Sequence, residues 1–170
     1  KAVASITITE PDEKLVVVPI IYNNASCWNS KDGSVALRTT GGILAGPDYH
    51  YYWHDKTTDS INSTLGKGTY IASGTDDNGC TVTSEIVITS PDTIKTEIVI
   101  NKNASCFGLN DGSSSLNVSG GSGIFSFLWD DGRTFNPNDS LTAGNHTVTI
   151  TDSNNCTLDT LLTITQPPDM

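Results

Sequence analysis

Four cysteines, three histidines and two acidic turns are the residues here whose types and spacing have chemical potential. Cys27, Cys80, Cys106 and Cys156 stand tens of residues apart. A zinc site needs close pairs such as Cys-x-x-Cys, and there are none. Disulfides are therefore expected, and four thiols permit three pairings. The cysteines fall two per half of the chain at matched positions, which favours Cys27 with Cys80 and Cys106 with Cys156. Closing a loop of about fifty residues is worth roughly 4 kcal/mol in the chain-entropy picture. Disulfides in turn imply an oxidising compartment and hence export.

The acidic turns are Asp76-Asp77-Asn78 and Asp152-Ser153-Asn154, each just before a cysteine. Their oxygens suit calcium, with Asp76, Asp77 and Asp152 as candidate ligands. The loops lack the full alternating ligand spacing and the terminal Glu of an EF-hand, so Asp12, Asp92 or a neighbouring unit would have to complete the shell. The plainer reading is that Asp and Asn stabilise the turn by bonding to nearby amides. His50, Tyr52 and His54 alternate along one strand face and form a candidate platform for a sugar ring. The second half has Ser126, Leu128 and Asp130 there instead. His50 and His54 would need a third metal ligand that nothing identifies. No nucleophile elbow, His-Glu-x-x-His, phosphate loop or dinucleotide fingerprint occurs, so no enzyme is expected. Asp59-Ser60-Ile61, Asp92-Thr93-Ile94, Asp139-Ser140-Leu141 and Asp159-Thr160-Leu161 resemble short bacterial O-glycosylation acceptors, in a chain where Asp, Ser and Thr are abundant.

The elements that hold these residues follow from composition. The 170 residues carry 19 acidic and 9 basic side chains, a net charge of -10, with 16% charged residues overall. That excludes a disordered acidic tail. It also disfavours nucleic acid, since the basic residues form no stripe. No apolar run reaches membrane-spanning length and no signal-peptide pattern opens the chain, so a soluble, processed or excised piece without membrane insertion is expected. No segment shows the 3.6-residue period. Short runs alternate with period two between Gly, Asn, Asp and Pro clusters, which predicts an all-β protein.

The chain also repeats itself. Asn24-Ala25-Ser26-Cys27 returns as Asn103-Ala104-Ser105-Cys106, and Gly41-Gly42 as Gly120-Gly121, at a shift of 79. Beyond the double glycine the shift is 76, pairing Trp53 with Trp129 and Thr75-Asp76 with Thr151-Asp152, so the first copy has a three-residue insertion near 44–48. Each copy closes on an alternating strand and a proline, an ending also present at 6–12. The division is 1–11 as the last strand of a preceding copy, 12–91 as repeat 1 and 92–170 as repeat 2. Strands are expected near 94–101, 112–118, 124–129, 145–151 and 156–165, with matching ones in the first copy. Tyr49, Tyr51 and Trp53, and Phe125, Phe127 and Trp129, point inward, with Trp53 and Trp129 as core. Two immunoglobulin-like β-sandwiches of about seven short strands, each with an internal disulfide, accommodate this pattern.

Cys, Asp-Gly-Ser, Gly-Gly, alternating aromatics ending in Trp, Thr-Asp-x-x-Gly-Cys and a closing strand ending in Pro, in that order, resemble the SprB-type repeat of the surface adhesins of gliding bacteria. His146, where Tyr70 and the usual tyrosine fall, and Asn155, in the place of Gly79, depart from the pattern. The resemblance implies a non-catalytic tandem repeat segment of an exported, cell-surface adhesin in surface attachment and gliding, and the proline at each short junction between copies adds the expectation of a stiff, multivalent stalk. No cofactor is expected, calcium at the acidic turns being the one candidate. The expected partners are neighbouring repeats and a polysaccharide or solid surface. The rival reading is a carbohydrate-binding or spacer module of a secreted hydrolase.

Overall fold

The computed structural model describes residue 6 and residues 10–169. The strand assigned to residues 1–11 therefore falls almost wholly outside the described residues. Every regular element among them is a strand. The described residues form two compact units: those up to Ala25 with Asn29–Ser90, and Ser26–Trp28 with those from Pro91 on.

In the first unit the strands are β1 (Val16–Asn23), β2 (Gly33–Thr40), β3 (His50–Trp53), β4 (Ile61–Leu65), β5 (Gly68–Thr75) and β6 (Thr81–Ile88). They form two antiparallel sheets, β1-β2-β4 and β3-β5-β6. The second unit repeats this with β7 (Lys95–Lys102), β8 (Gly112–Ser119), β9 (Ser126–Trp129), β10 (Asn138–Leu141), β11 (Gly144–Thr151) and β12 (Thr157–Ile164), in sheets β10-β8-β7 and β12-β11-β9. The first, second and fourth strands in one sheet and the third, fifth and sixth in the other is the partition of an immunoglobulin-type sandwich. Among the described residues each unit has six strands, where about seven are expected from the sequence. β4 and β10 were missing from the expected set. Asn138–Leu141 is short and mostly polar, so it offers no alternation to read.

Alternation works as the sequence implies. Gly33, Val35, Leu37 and Thr39 of β2 turn inward toward Trp53, Ala72, Ile86 and Ile88 of the facing sheet. In the second unit Leu116 meets Trp129, Val148, Ile150, Leu162 and Ile164. Trp53 and Trp129 are buried at 0% and 2% exposure, as core residues should be. Tyr51, Phe125 and Phe127 pack against these cores from partly buried positions. Each sandwich is thus held by apolar side chains facing across two sheets, the arrangement that stacked alternating strands permit.

The expectation of a disulfide inside each repeat, 12–91 and 92–170, is corrected. Cys27 bonds to Cys156, with Cα atoms 5.8 Å apart, while Cys80 and Cys106 are free. The reason lies in each sandwich separately. Cys80 immediately precedes β6, whereas the segment before Cys27 is tied to the far end of that strand by Ala25 N–H on the Thr89 carbonyl. Eight strand residues, about 27 Å, separate the two ends. In the second unit Ala104 N–H reaches the Thr165 carbonyl beyond β12, and Cys156 stands before that strand. A disulfide demands Cα atoms within about 7 Å, so neither repeat can bond its own two cysteines. Matched spacing identified cysteines of two kinds but not the sandwich end that each occupies.

Candidate functional site

One end of each sandwich is built around an aspartate. Asp76 Oδ1 accepts from the amides of Asn78 and Cys80 at 3.1 and 2.8 Å, folding the β5–β6 turn onto itself. Its Oδ2 accepts from Ile43 N–H at 3.0 Å, fastening that turn to the double-glycine loop. Asp152 does the same for Asn154, Cys156 and Ser122 at 2.8, 2.9 and 2.8 Å. A backbone bond parallels each clasp, Asp77 N–H to the Ile43 carbonyl and Ser153 N–H to the Ser122 carbonyl. The glycines are required here. Gly42 and Gly121 have φ of +69° and +55°, and a Cβ would lie 2.6 and 2.9 Å from the clasping carboxylate oxygen.

The same amides set the acidity. The Ile43 amide, with those of Cys80 and Asn78, holds the Asp76 carboxyl below its usual range. The amides of Gly46 and Ala45 act likewise on Asp77, with His50 assisting from 3.5 Å. An anion bonded to several N–H groups is stabilised in its charged form. Asp76, Asp77 and Asp152, proposed from sequence as calcium ligands, are thus all placed in the clasp loops. Asp76 and Asp77 share one loop, and Asp152 occupies its counterpart in the other unit. Among the described residues no cluster of three or more His, Cys, Asp or Glu is arranged to hold a metal.

The residues proposed as a sugar platform are placed as follows. His50 and Tyr52 are exposed on β3, Tyr52 at 53%, and His54 follows just past the strand end. His54 leans on the Tyr70 ring, centroids 5.2 Å apart and tilted by 45°. Tyr52 is therefore the ring of this group left open, flanked by His50, which is turned toward Asp77.

Several side-chain bonds that hold the sandwiches together are not legible in the local sequence pattern. Trp53 Nε1 donates to the Asp59 carbonyl, and Trp129 Nε1 to the Phe135 carbonyl, both at 2.9 Å. Buried Asn62 donates to Asp55 at 2.8 Å, and buried Asn138 to Asp131 at 3.0 Å. These pairs obey the shift of 76, which is the signal that would have found them. Tyr70 Oη donates to the Gly66 carbonyl at 2.9 Å, the tyrosine-corner bond of such sandwiches. His146 Nε2 makes the equivalent 2.9 Å bond to the Thr142 carbonyl, and its Nδ1 lies 3.2 Å from Asp130. The substitution noticed in the sequence thus keeps the corner and recruits a new partner.

These arrangements define a pair of immunoglobulin-like sandwich modules whose polar groups fasten loops. The family model described as the SprB repeat matches residues 99–134, within the second unit. Among solved structures, the chain is similar to the C-terminal 282-residue fragment of intimin, solved in complex with the intimin-binding domain of the translocated intimin receptor. Identity is 12% and the TM-score 0.44, over 89% of this chain and 64% of the intimin fragment. It is also similar to the fibronectin(III)-like modules of Clostridium thermocellum CbhA, at 14% identity and a TM-score of 0.31, over 88% of this chain and 95% of that one. No curated protein matches.

Proposed function

We propose that this chain is a non-catalytic segment of a tandem-repeat adhesin, exported to the cell surface, where it acts in attachment and gliding as a stiff, multivalent stalk. The observation that carries this reading is the SprB match on a framework whose matched polar residues fasten its own loops. Asp76, Asp152, Asn62, Asn138 and the two tryptophans recur copy for copy and bond inward. The outward strand face differs between copies, as His50-Tyr52 against Ser126-Leu128. A framework held constant beneath a varied surface suits a stalk whose copies add reach and make weak contacts additive. The disulfide agrees with an oxidising location.

The partners in this reading are neighbouring repeats and a polysaccharide or solid surface, with Tyr52 and its flanking histidines as the sugar-stacking group of the first copy. Asp76, Asp77 and Asp152 are the oxygen donors offered to calcium. Beads coated with the chain test the adhesive reading. Retention on agar or glass above that of albumin-coated beads, weakened by Tyr52→Ala, is expected. Retention equal to albumin removes it. A melting temperature indifferent to chelator and to millimolar calcium removes the ion.

A further inference from the structure

The four cysteines are of two kinds, and the disulfide joins one of each. Cys27 and Cys106 share the Asn-Ala-Ser-Cys motif in the loop after the first strand of their copies, and Cys80 and Cys156 close the clasp turn. Within each sandwich the two kinds occupy opposite ends, so neither copy can bond its own pair. The bond that forms takes the first kind from one copy and the second kind from the next. Cys80 and Cys106, one of each kind, are left over, exposed and unbonded. Cys156, in its bond, is 9% exposed.

We propose that Cys80 and Cys106 are half-cystines of further links of the same kind: Cys106 bonds the clasp cysteine of a following copy, and Cys80 bonds the Asn-Ala-Ser-Cys cysteine of a preceding one. Successive repeats are then chained by disulfides between copies, with none closed inside a copy. A lone thiol would not carry this inference. The Cys27–Cys156 bond does, because it shows both kinds of residue already joined at equivalent positions. The surroundings suit a docked neighbour. Cys106 lies with Phe107, 55% exposed, in a hollow also lined by Pro167 and Pro168, and its carbonyl accepts from the N–H of Leu109, itself 44% exposed. Cys80 lines a hollow with Pro11, Leu15 and Asp76.

The chemistry needs an oxidant, and a small-molecule disulfide such as oxidised glutathione serves. One protein thiolate attacks it to give a mixed disulfide and releases one glutathione. The second protein thiolate then displaces the other glutathione. Two thiols thus lose two electrons and two protons, and one oxidised glutathione becomes two reduced ones. The inference rests on the tandem-copy part of the proposed function and needs no adhesion.

The test uses the full chain in two variants that keep Cys27–Cys156. Cys80→Ser retains only the Cys106 thiol, and Cys106→Ser only the Cys80 thiol. Both are mixed in a glutathione redox buffer and the products are separated on non-reducing gels and mapped by mass spectrometry. The expected product is the Cys106–Cys80 heterodimer, roughly tenfold or more above the two homodimers, the excess that a modest orienting contact of about 1.4 kcal/mol supplies. The unaltered chain gives a ladder of head-to-tail oligomers. Heterodimer merely equal to the homodimers combined is chance pairing and overturns the proposal. So does mapping of Cys27–Cys80 or Cys106–Cys156 in the unaltered chain. Pairing is read without any surface or glycan, so it stands or falls separately from adhesion.

Discussion

Pulling the chain by its ends reads the cysteine connectivity directly. The Cys27–Cys156 bond spans a sequence separation of 129 residues, and none of that length extends while the bond is intact. At about 3.4 Å per stretched residue, reduction under load releases roughly 440 Å in one step. Internal pairing would instead hide two loops of 53 and 50 residues, from 27 to 80 and from 106 to 156. Each would release only about 170–180 Å, in separate steps. Single-molecule force spectroscopy with a reductant in the flow distinguishes the two patterns well within its resolution. Cys27→Ser should show the full length without reductant. It should also lose about 5 kcal/mol of chain-entropy stabilisation, the value for a loop of this size. Two steps of equal size near 175 Å would refute the opposite-ends argument from which the connectivity follows.

Three further outcomes are expected. Thr39 is buried and its Oγ1 has no hydrogen-bond partner, while the matched residue in the second copy is Val118, so Thr39→Val should stabilise the first unit by about 1 kcal/mol in thermal melts. Tyr70→Phe leaves the Gly66 carbonyl without its 2.9 Å donor and should cost about 1–1.5 kcal/mol, a fall of roughly 4–8 °C per kcal/mol for a unit of this size; no change would show the corner to be dispensable. Asp76, Asp77 and Asp111 all have lowered pKa values, Asp111 chiefly through Lys102 at 2.6 Å. Their folded forms hold the charge better than the unfolded chain, so the stability they add is complete above the ordinary value of 3.8 and is lost as pH falls below it. Circular dichroism through an acid titration should show this loss, and Asp111→Asn should make it shallower.

The fold was legible because alternation and repetition reinforce one another. Val35, Leu37, Trp53 and Ile86 announce an inward face by period two, and the second copy repeats the pattern with different apolar residues. The two buried tryptophans were legible for the same reason. β10 was not, because Asn138 is buried for its bonds to Asp131 and Ser140 rather than for apolar character. The clasp was half legible. Asp and Asn before a cysteine signal a turn, but no local pattern says that Asp76 also reaches Ile43, thirty-three residues away. The cysteine pairing was misread for a related reason. Sequence spacing fixes loop length, whereas bonding depends on which end of a 27 Å strand each residue occupies.

The placement of the bond also decides which strands bear load. Tension entering from either terminus crosses from Cys27 to Cys156 and bypasses the residues between them. Among the strands of the described residues, β1, before Cys27, and β12, after Cys156, lie on the loaded path. Both are edge strands with a single hydrogen-bonded neighbour, β2 and β11 respectively. They are therefore the segments of each sandwich most readily peeled, since local opening follows the weakest set of contacts. Peeling β1 takes buried Val17 from its core, and peeling β12 takes Leu162 and Ile164. In the oxidised chain the first extensions should accordingly be short, about 25 Å for a strand of this length, with the long release withheld until reduction. Val17→Asn should lower the force of one short event and leave the other unchanged. A first event in the oxidised chain as long as a whole unit would mean that load does not follow the covalent path.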